Sequence, residues 1–302
     1  MLKTYILIIS IMLCPCMSNA EEILVAVAAN VQFAFEEIKT DYEMKNKISI
    51  KSVYGSSGKL ATQIMNGAPF DIFLSANSEY PEVLYKKELT LNEPKIYAYG
   101  KLTICFNKDL DLTEFENCNS KESSATASKL YQKSRDSLHP NNKILYFPKV
   151  QESSATASQL SRKAEIPCIY HFLYFLKMQE IMSIAIADPK LAPYGTAAVK
   201  VFKMAGIYKD VSSKFVLGTS VAQVNHFLNM RSVDAGITSR SSYIANPNIG
   251  KYCIDVPETM YNPIAQASVV IKRSDNQEVL KFYNYIFQDQ AKKVFRKYGY
   301  GT

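Results

Sequence analysis

The chain has 302 residues, of which 47% are hydrophobic and 21% are charged, a composition typical of a folded protein with one large core or two lobes. Its formal net charge of +7 comes from scattered lysine and arginine residues, without the dense basic runs or basic–aromatic interleaving of nucleic-acid-binding proteins. We therefore expect no nucleic-acid partner.

The first twenty residues are typical of a secretory signal peptide. Lys3 gives a basic start, Tyr5–Leu13 is an apolar run, and Ser18-Asn19-Ala20 offers small residues for cleavage. The run is shorter than the ~20 residues that a membrane-spanning helix needs. We expect cleavage after Ala20 and a periplasmic mature protein.

The N-terminal third alternates predicted strands and helices. A short, continuous apolar run predicts a buried strand over Ile23–Ala28, and Asn30 is placed to cap the helix that follows it. Further along we predict strands over 48–54, 71–75, 96–99 and 101–106, and a helix over 58–66.

The same alternation returns from Ile184. We predict strands over 184–187, 215–217 and 235–238, helices over 196–205 and from about 221, and one long helix over 276–298. Two such series predict an α/β fold with two doubly wound lobes joined by a hinge. We divide the chain into a signal peptide (1–20), a first lobe (21–100 and 261–302) and a second lobe (101–260).

The middle of the chain does not follow this alternation. Glu122-Ser-Ser-Ala-Thr-Ala-Ser128 recurs letter for letter as Glu152-Ser-Ser-Ala-Thr-Ala-Ser158, which indicates a local duplication. We interpret residues from about 116 to 170 as an atypical insertion in the second lobe. A long surface insertion costs little closure entropy, so we expect an appendage that lies outside any binding site.

Four cysteines remain after cleavage, at positions 105, 118, 168 and 253. An oxidising compartment permits disulfides, but the spacing leaves their pairing open, including a Cys118–Cys168 bond at the base of the insertion. The histidine and cysteine spacing suggests no metal or redox site. Lipid anchoring at Cys14 or Cys16 is disfavoured, because these cysteines follow Leu13 and Pro15 rather than a small residue.

Three short segments each end an apolar strand and open a helix: Ala28-Ala29-Asn30, Tyr54-Gly-Ser-Ser-Gly-Lys59 and Ala192-Pro-Tyr-Gly-Thr196. Such junctions point free backbone N–H groups and the positive end of a helix dipole outward. Their side chains are small hydroxyls or amides with little charge. The pattern predicts a cleft that binds one small oxyanion rather than a catalytic site.

The same segments resemble a known family. Ile23–Asn30, Tyr54–Leu60, Asn66–Ala76 and Ile186–Gly195, together with the closing Arg296-Lys-Tyr-Gly-Tyr300, are similar to the periplasmic molybdate-binding proteins of ABC importers. The resemblance covers roughly residues 21–108 and 180–300. It implies a type II solute-binding fold that closes around molybdate or tungstate, docks on a membrane permease and acts as a monomer without a cofactor.

The resemblance also implies ligand positions, since the family holds its anion with hydroxyl, amide and backbone N–H donors. The side-chain donors fall on Asn30 and Ser57, and the backbone donors on Tyr194 and Val221. A further hydroxyl falls on Ser239, with Tyr243 as the alternative nearby. No cation is implied at this site.

Other classes fit less well. A hydrolase or transferase would need a nucleophile motif, a zinc motif or a Walker loop, and the sequence contains none of these. A transcription-regulator effector domain of the same shape would not carry a signal peptide. Sulfate, phosphate or an organic anion remain the alternative ligands of a binding protein.

Overall fold

A computed structural model of the protein describes residues 22–108, 169, 172–273 and 276–302. Its strands are β1 (Glu22–Ala28), β2 (Ser49–Gly55), β3 (Ile72–Leu74), β4 (Lys95–Gly100), β5 (Leu102–Phe106), β6 (Ile184–Ala187), β7 (Phe215–Gly218), β8 (Ala235–Ser239), β9 (Tyr252–Asp255) and β10 (Ile264–Val270). Its α-helices are α1 (Gln32–Asn46), α2 (Ser57–Met65), α3 (Glu79–Lys86), α4 (Pro193–Met204), α5 (Tyr208–Val211), α6 (Val221–Asn229), α7 (Arg240–Ala245), α8 (Gln277–Tyr285) and α9 (Asp289–Lys297).

In the described residues the strands form two five-stranded sheets, in the orders β2-β1-β3-β10-β4 and β7-β6-β8-β5-β9. Each sheet has three parallel strands, and two further strands extend it in antiparallel pairing. We call each sheet with its helices a lobe. The predicted α/β fold with two doubly wound lobes is confirmed.

The chain passes between the sheets twice, at neighbouring places. It leaves the first sheet after Gly100, enters the second at Leu102, and returns between Asp255 and Ile264. The two passages are joined by a hydrogen bond, because the backbone N–H of Leu102 donates to the Tyr261 hydroxyl at 3.2 Å. The lobes are therefore joined by two chain segments, and this hydrogen bond links one segment to the other.

Strand β1 shows why the first lobe has helices on both sides. Ile23, Val25 and Val27 belong to one buried cluster together with Phe35 of α1. Ala26 points the opposite way, into a second cluster with Leu60 of α2. Successive side chains of a strand alternate between faces, so an uninterrupted apolar strand requires cover on both faces.

Two local predictions were wrong. Asn30 lies in a 3-10 turn, Ala29–Val31, and α1 begins after it without a side-chain cap. The predicted helix over 276–298 is two helices, α8 and α9, separated by a tight turn in which the backbone N–H of Gln288 donates to the carbonyl of Tyr285. The break allows Phe282 of α8 and Phe295 of α9 each to be fully buried.

One disulfide joins the described residues Cys105 and Cys253. They are directly opposed partners on the antiparallel strands β5 and β9. Cys118 and Cys168 lie outside the described residues, as do the predicted signal peptide and the predicted insertion apart from Ile169. That residue is helical and buried with Leu173 and Leu176. A bilayer-crossing helix is not found among the residues described.

Candidate functional site

A small cavity lies between the lobes at the carboxyl ends of their parallel strands, where α/β proteins bind ligands. It has room for about one water molecule in this closed form, which excludes a sugar or a peptide. The described residues that line it are all uncharged: Ala28, Ala29, Asn30, Gly55, Ser56, Ser57, Ala76, Ala192, Pro193, Tyr194, Ser220 and Val221.

Three helices begin at this cavity. Ser57 opens α2, Pro193 and Tyr194 open α4, and Val221 opens α6. The first N–H groups of a helix have no partner within it, and the helix dipole places partial positive charge at this end. Three such ends facing one uncharged cavity favour an anion strongly over a cation.

Ser57 is 1% exposed and supplies a side-chain hydroxyl. Its Oγ accepts a hydrogen bond from the backbone N–H of Ala76 at 2.9 Å. A serine hydroxyl has one hydrogen of its own, and that hydrogen remains available to the cavity. The loop that follows β3 therefore fixes the oxygen of Ser57 while leaving its donor free.

Ser56 is a lining residue that the sequence-based assignment missed. Its Oγ is fully buried and has no hydrogen-bond partner within the described residues, although Ser56 sits at the N-cap position of α2. An unpaired buried hydroxyl is uncommon and costs stability. The sequence did contain a signal for Ser56. Two serines follow one another between β2 and α2, and either could be the one that faces the ligand.

Asn30 is 2% exposed and belongs to a buried polar cluster. Its Nδ2 lies 3.1 Å from Gln266 Oε1, 3.2 Å from the Tyr300 hydroxyl and 3.3 Å from the Tyr194 hydroxyl. Its backbone carbonyl accepts from the Ser241 hydroxyl at 2.8 Å and from the Tyr300 hydroxyl at 2.6 Å. The Tyr97 hydroxyl joins the group at 2.9 Å from Gln266 Oε1. We call Asn30, Tyr97, Tyr194, Gln266 and Tyr300 the amide–tyrosine cluster.

The amide–tyrosine cluster is electrically neutral. Burial raises the pKa of Tyr97, Tyr194 and Tyr300 above the ordinary value of a tyrosine, so their phenols stay protonated at neutral pH. They can then donate hydrogen bonds without adding negative charge beside an anion. The position of the Tyr194 hydroxyl also requires Gly100, since a Cβ at position 100 would collide with this hydroxyl.

Tyr194 and Val221 lie at the cavity. Both line the cavity in the first turn of their helices. Pro193 precedes Tyr194 and has no N–H, so the backbone N–H of Tyr194 is the first that α4 can offer. Four of the implied positions, at 30, 57, 194 and 221, therefore meet at one cavity.

Ser239 and Tyr243 do not meet there, and neither residue is among those that line the cavity. Ser239 ends β8, is fully buried, and caps α7 by accepting from the backbone N–H of Ser242 at 3.2 Å. Its hydroxyl also contacts those of Ser241 and Ser242 at 2.9 and 2.7 Å. The Ser239 hydroxyl thereby helps to position the Ser241 hydroxyl, which donates to the backbone carbonyl of Asn30.

The two lobes touch directly beside the cavity. The backbone N–H of Gly58 in α2 donates to the carbonyl of Leu191, across the cleft, at 2.9 Å. The Tyr80 hydroxyl lies 3.4 Å from the carbonyl of Lys190, the residue before Leu191. The cleft is closed in this structure.

The donor set fits an anion and not a metal ion. Hydroxyls, an amide and helix N-termini are donors of hydrogen bonds, whereas metal sites in proteins gather imidazole, thiolate or carboxylate ligands. Across the described ranges, no group of three or more such residues is close enough to hold a metal ion.

Comparisons with known proteins agree with this geometry. The model of a family described as bacterial extracellular solute-binding protein matches residues 23–301. The chain is 27% identical to molybdate-binding protein ModA of Azotobacter vinelandii, covering 96% of this chain and 93% of that one. It is also 27% identical to ModA of Rhodobacter capsulatus, covering 94% and 89%. The fold matches the solved periplasmic molybdate-binding protein of A. vinelandii with a TM-score of 0.68 at 21% identity, covering 93% and 99% of the two chains.

Proposed function

We propose that this chain, which belongs to the family of bacterial extracellular solute-binding proteins, captures molybdate or tungstate between its lobes for an ABC importer. The observation that carries the proposal is the cavity itself, where three helix N-termini and uncharged donors face one small enclosed space. The relatives named as molybdate-binding proteins along nearly the whole chain support the choice of anion.

Neutral donors suit a carrier that must release its cargo. Each hydrogen bond to a charged oxygen contributes ~1.5–3 kcal/mol net, so several together hold a tetrahedral dianion without a buried counter-charge. Opening the cleft then breaks hydrogen bonds one lobe at a time and separates no buried ion pair. Capture and release, rather than a reaction, follow from this chemistry.

The ligand positions we propose come from both lobes. Asn30 and Ser57 would donate from side chains of the first lobe, and Tyr194 and Val221 from backbone N–H groups of the second. Ser56 joins them because its buried hydroxyl lacks a partner in the described chain. We withdraw Ser239 from the set, since its hydroxyl caps α7.

Selectivity among oxyanions would depend on the size of the anion and on whether the anion carries a proton. A cavity lined mainly by donors disfavours hydrogen phosphate, whose own O–H needs an acceptor. Sulfate has no proton at neutral pH but is smaller than molybdate, so it would contact fewer donors at once. The proposed order is molybdate and tungstate first, then sulfate, then phosphate.

The remaining parts of the proposal are the compartment, the oligomeric state and the membrane partner. We infer secretion to the periplasm with loss of residues 1–20, action as a monomer, and docking of the closed form on a membrane permease. Membership of an extracellular binding-protein family supports the compartment.

Calorimetric titration of the protein purified from the periplasm tests the proposal. We expect one molybdate or tungstate per chain and at least a hundredfold weaker binding of sulfate and phosphate. Binding of sulfate as tight as that of molybdate would contradict the assignment of the anion. No heat with any oxyanion would contradict the assignment of an anion-binding function.

A further inference from the structure

The hydrogens of the amide–tyrosine cluster do not match their partners. Asn30 Nδ2 carries two hydrogens but faces three acceptors, in Tyr194, Gln266 and Tyr300, at 3.1–3.3 Å. Its Oδ1 accepts no hydrogen bond from the part of the chain that is described. Because Asn30 lines the cavity, the end of its amide left for a ligand is an acceptor.

The tyrosines show the same mismatch. The single hydrogen of the Tyr97 hydroxyl has two acceptors at 2.9 Å, the carbonyl of Ser75 and Oε1 of Gln266. The Tyr194 hydroxyl lies at the receiving end of two N–H groups, Nδ2 of Asn30 and Nε2 of Gln266. Its own hydrogen finds no acceptor among the described residues.

A half-turn of both amides removes the mismatches at Tyr97 and Tyr194. It leaves one at Tyr300, whose hydroxyl donates to the backbone carbonyl of Asn30 and would then lie 3.2 Å from Oδ1 of Asn30 with no hydrogen between the two oxygens. The two ends of an amide occupy nearly the same space, so heavy-atom distances hardly change and the hydrogens decide between the arrangements. After the turn, Nε2 of Gln266 donates to Oδ1 of Asn30 and to Tyr97. Tyr97 donates to the carbonyl of Ser75, and Tyr194 donates to Oε1 of Gln266. Nδ2 of Asn30 is then free for the cavity.

Neither amide can turn alone. If only Asn30 turned, its Oδ1 would face Oε1 of Gln266 at the present 3.1 Å spacing, which places two acceptors against each other. Gln266 itself is fully buried on β10. Tyr194 comes from the second lobe, whereas Asn30 and Gln266 belong to the first, so its hydrogen bond to Gln266 is available only when the cleft is closed.

We propose that Gln266 is a positioning residue for the anion, turning together with Asn30 so that the Asn30 amide presents Nδ2 to the bound oxyanion. The proposal rests on the anion-binding function proposed above. It also makes Gln266 a determinant of selectivity. With Nδ2 toward the cavity the Asn30 amide offers a donor to the anion, whereas with Oδ1 toward it the amide could accept the proton of hydrogen phosphate.

Two substitutions separate the arrangements. In Gln266→Glu the carboxylate can only accept, so it holds Nδ2 of Asn30 toward itself and leaves Oδ1 facing the anion. We expect molybdate binding at pH 8.5 to weaken by a hundredfold or more, and the preference for molybdate over phosphate to shrink. Gln266→Met fills a similar volume but cannot orient Asn30, so we expect about three- to tenfold weaker binding.

The control is Ser268→Ala, two residues along the same strand. Its buried hydroxyl has no partner within the described chain, so removing it leaves the cluster intact and we expect unchanged affinity. Calorimetry gives the affinities, phosphate competition gives the selectivity, and circular dichroism reports folding. If Gln266→Glu does not fold, Gln266→Met decides.

The outcomes separate the two proposals. A wild-type protein that binds no oxyanion contradicts the proposed function and the role of Gln266 with it. A wild-type protein that binds molybdate tightly, with both Gln266 variants within twofold of it and equally selective, contradicts only the role of Gln266. Loss of affinity and of selectivity together, with the Ser268 variant unaffected, supports it.

Discussion

The backbone N–H of Gly58 donates to the carbonyl oxygen of Leu191 at 2.9 Å, and this one hydrogen bond joins the first turn of α2 in one lobe to the loop that precedes α4 in the other. Both helices begin at the anion cavity. The contact that closes the cleft is therefore a direct neighbour of the contacts that would hold the anion.

Replacing Gly58 by alanine should weaken anion binding by obstructing closure. A Cβ at this position would lie 2.9 Å from the carbonyl oxygen of Leu191 and 2.7 Å from the Tyr80 hydroxyl, so the lobes could not approach as they do here. Alanine is compatible with the helical backbone at this position, so we expect the lobes to stay folded. Small-angle scattering with and without molybdate would show reduced compaction relative to wild type.

Lys59→Ala is the matched control for this variant, since Lys59 is exposed in the same turn of α2. It should bind and close like the wild type. Equal affinity and equal compaction in both variants would mean that closure does not depend on the approach of Gly58 to Leu191.

Replacing Ser57 by alanine should reduce affinity and stability together. The variant loses a donor to the anion, worth ~1.5–3 kcal/mol or about a ten- to hundredfold change in affinity. It also leaves the backbone N–H of Ala76 without its acceptor. Calorimetric titration and urea unfolding would measure the two effects, and normal binding would show that Ser57 serves only the loop at Ala76.

Ser56→Ala should separate those two effects. The Ser56 hydroxyl has no partner in the described residues, so its removal should leave the ligand-free protein as stable as the wild type or slightly more stable. If that hydrogen turns to the anion, affinity falls about tenfold. A fall in stability with unchanged affinity would assign the hydroxyl to the fold instead.

Alkaline pH should lower the stability of the protein through Tyr261, which lies in the connection between the lobes. Burial raises the pKa of Tyr261 to about 12, partly offset by the N–H of Leu102 that donates to its hydroxyl. A tyrosine whose folded pKa lies above its unfolded value of ~10 contributes stability that is complete below pH 10. That contribution is lost as the pH rises from about 10 to 12.

Urea unfolding between pH 8 and pH 11 would measure this loss. We expect a shallower decline above pH 10 in Tyr261→Phe, which cannot ionise. Tyr99→Phe, at a half-exposed tyrosine on the neighbouring strand β4, should decline like the wild type. Identical slopes for all three proteins would contradict the assignment to Tyr261.

Removing the Cys105–Cys253 bond should lower stability without altering the site. The bond joins residues 148 positions apart, and removing a native disulfide typically costs ~2–5 kcal/mol. Neither cysteine lines the cavity, so the double alanine variant should bind molybdate normally. Alkylation of the unfolded, unreduced wild type should leave both cysteines unlabelled, and their labelling would show that the bond does not form.

The sequence alone determined the two-lobed α/β plan and most of the cavity. Short, uninterrupted apolar runs predict parallel strands that are buried on both faces. Small polar residues directly after such strands predict helix N-termini that bind anions. These are local signals, carried by segments such as 54–59 and 192–196. The family resemblance then singles out Asn30, Ser57, Tyr194 and Val221, and these four residues line one cavity in the structure.

The tertiary structure decided what depends on residues distant in sequence. Asn30 looks like a helix cap because capping is judged from its neighbours, but its amide meets Gln266 and Tyr300, which lie 236 and 270 positions away. The pairing of Cys105 with Cys253 depends on the register of β5 against β9, which no spacing reveals. Ser239 and Ser57 look alike in sequence, each a serine after a strand. Only packing shows that one hydroxyl is used up within its own turn while the other keeps a hydrogen for the cavity.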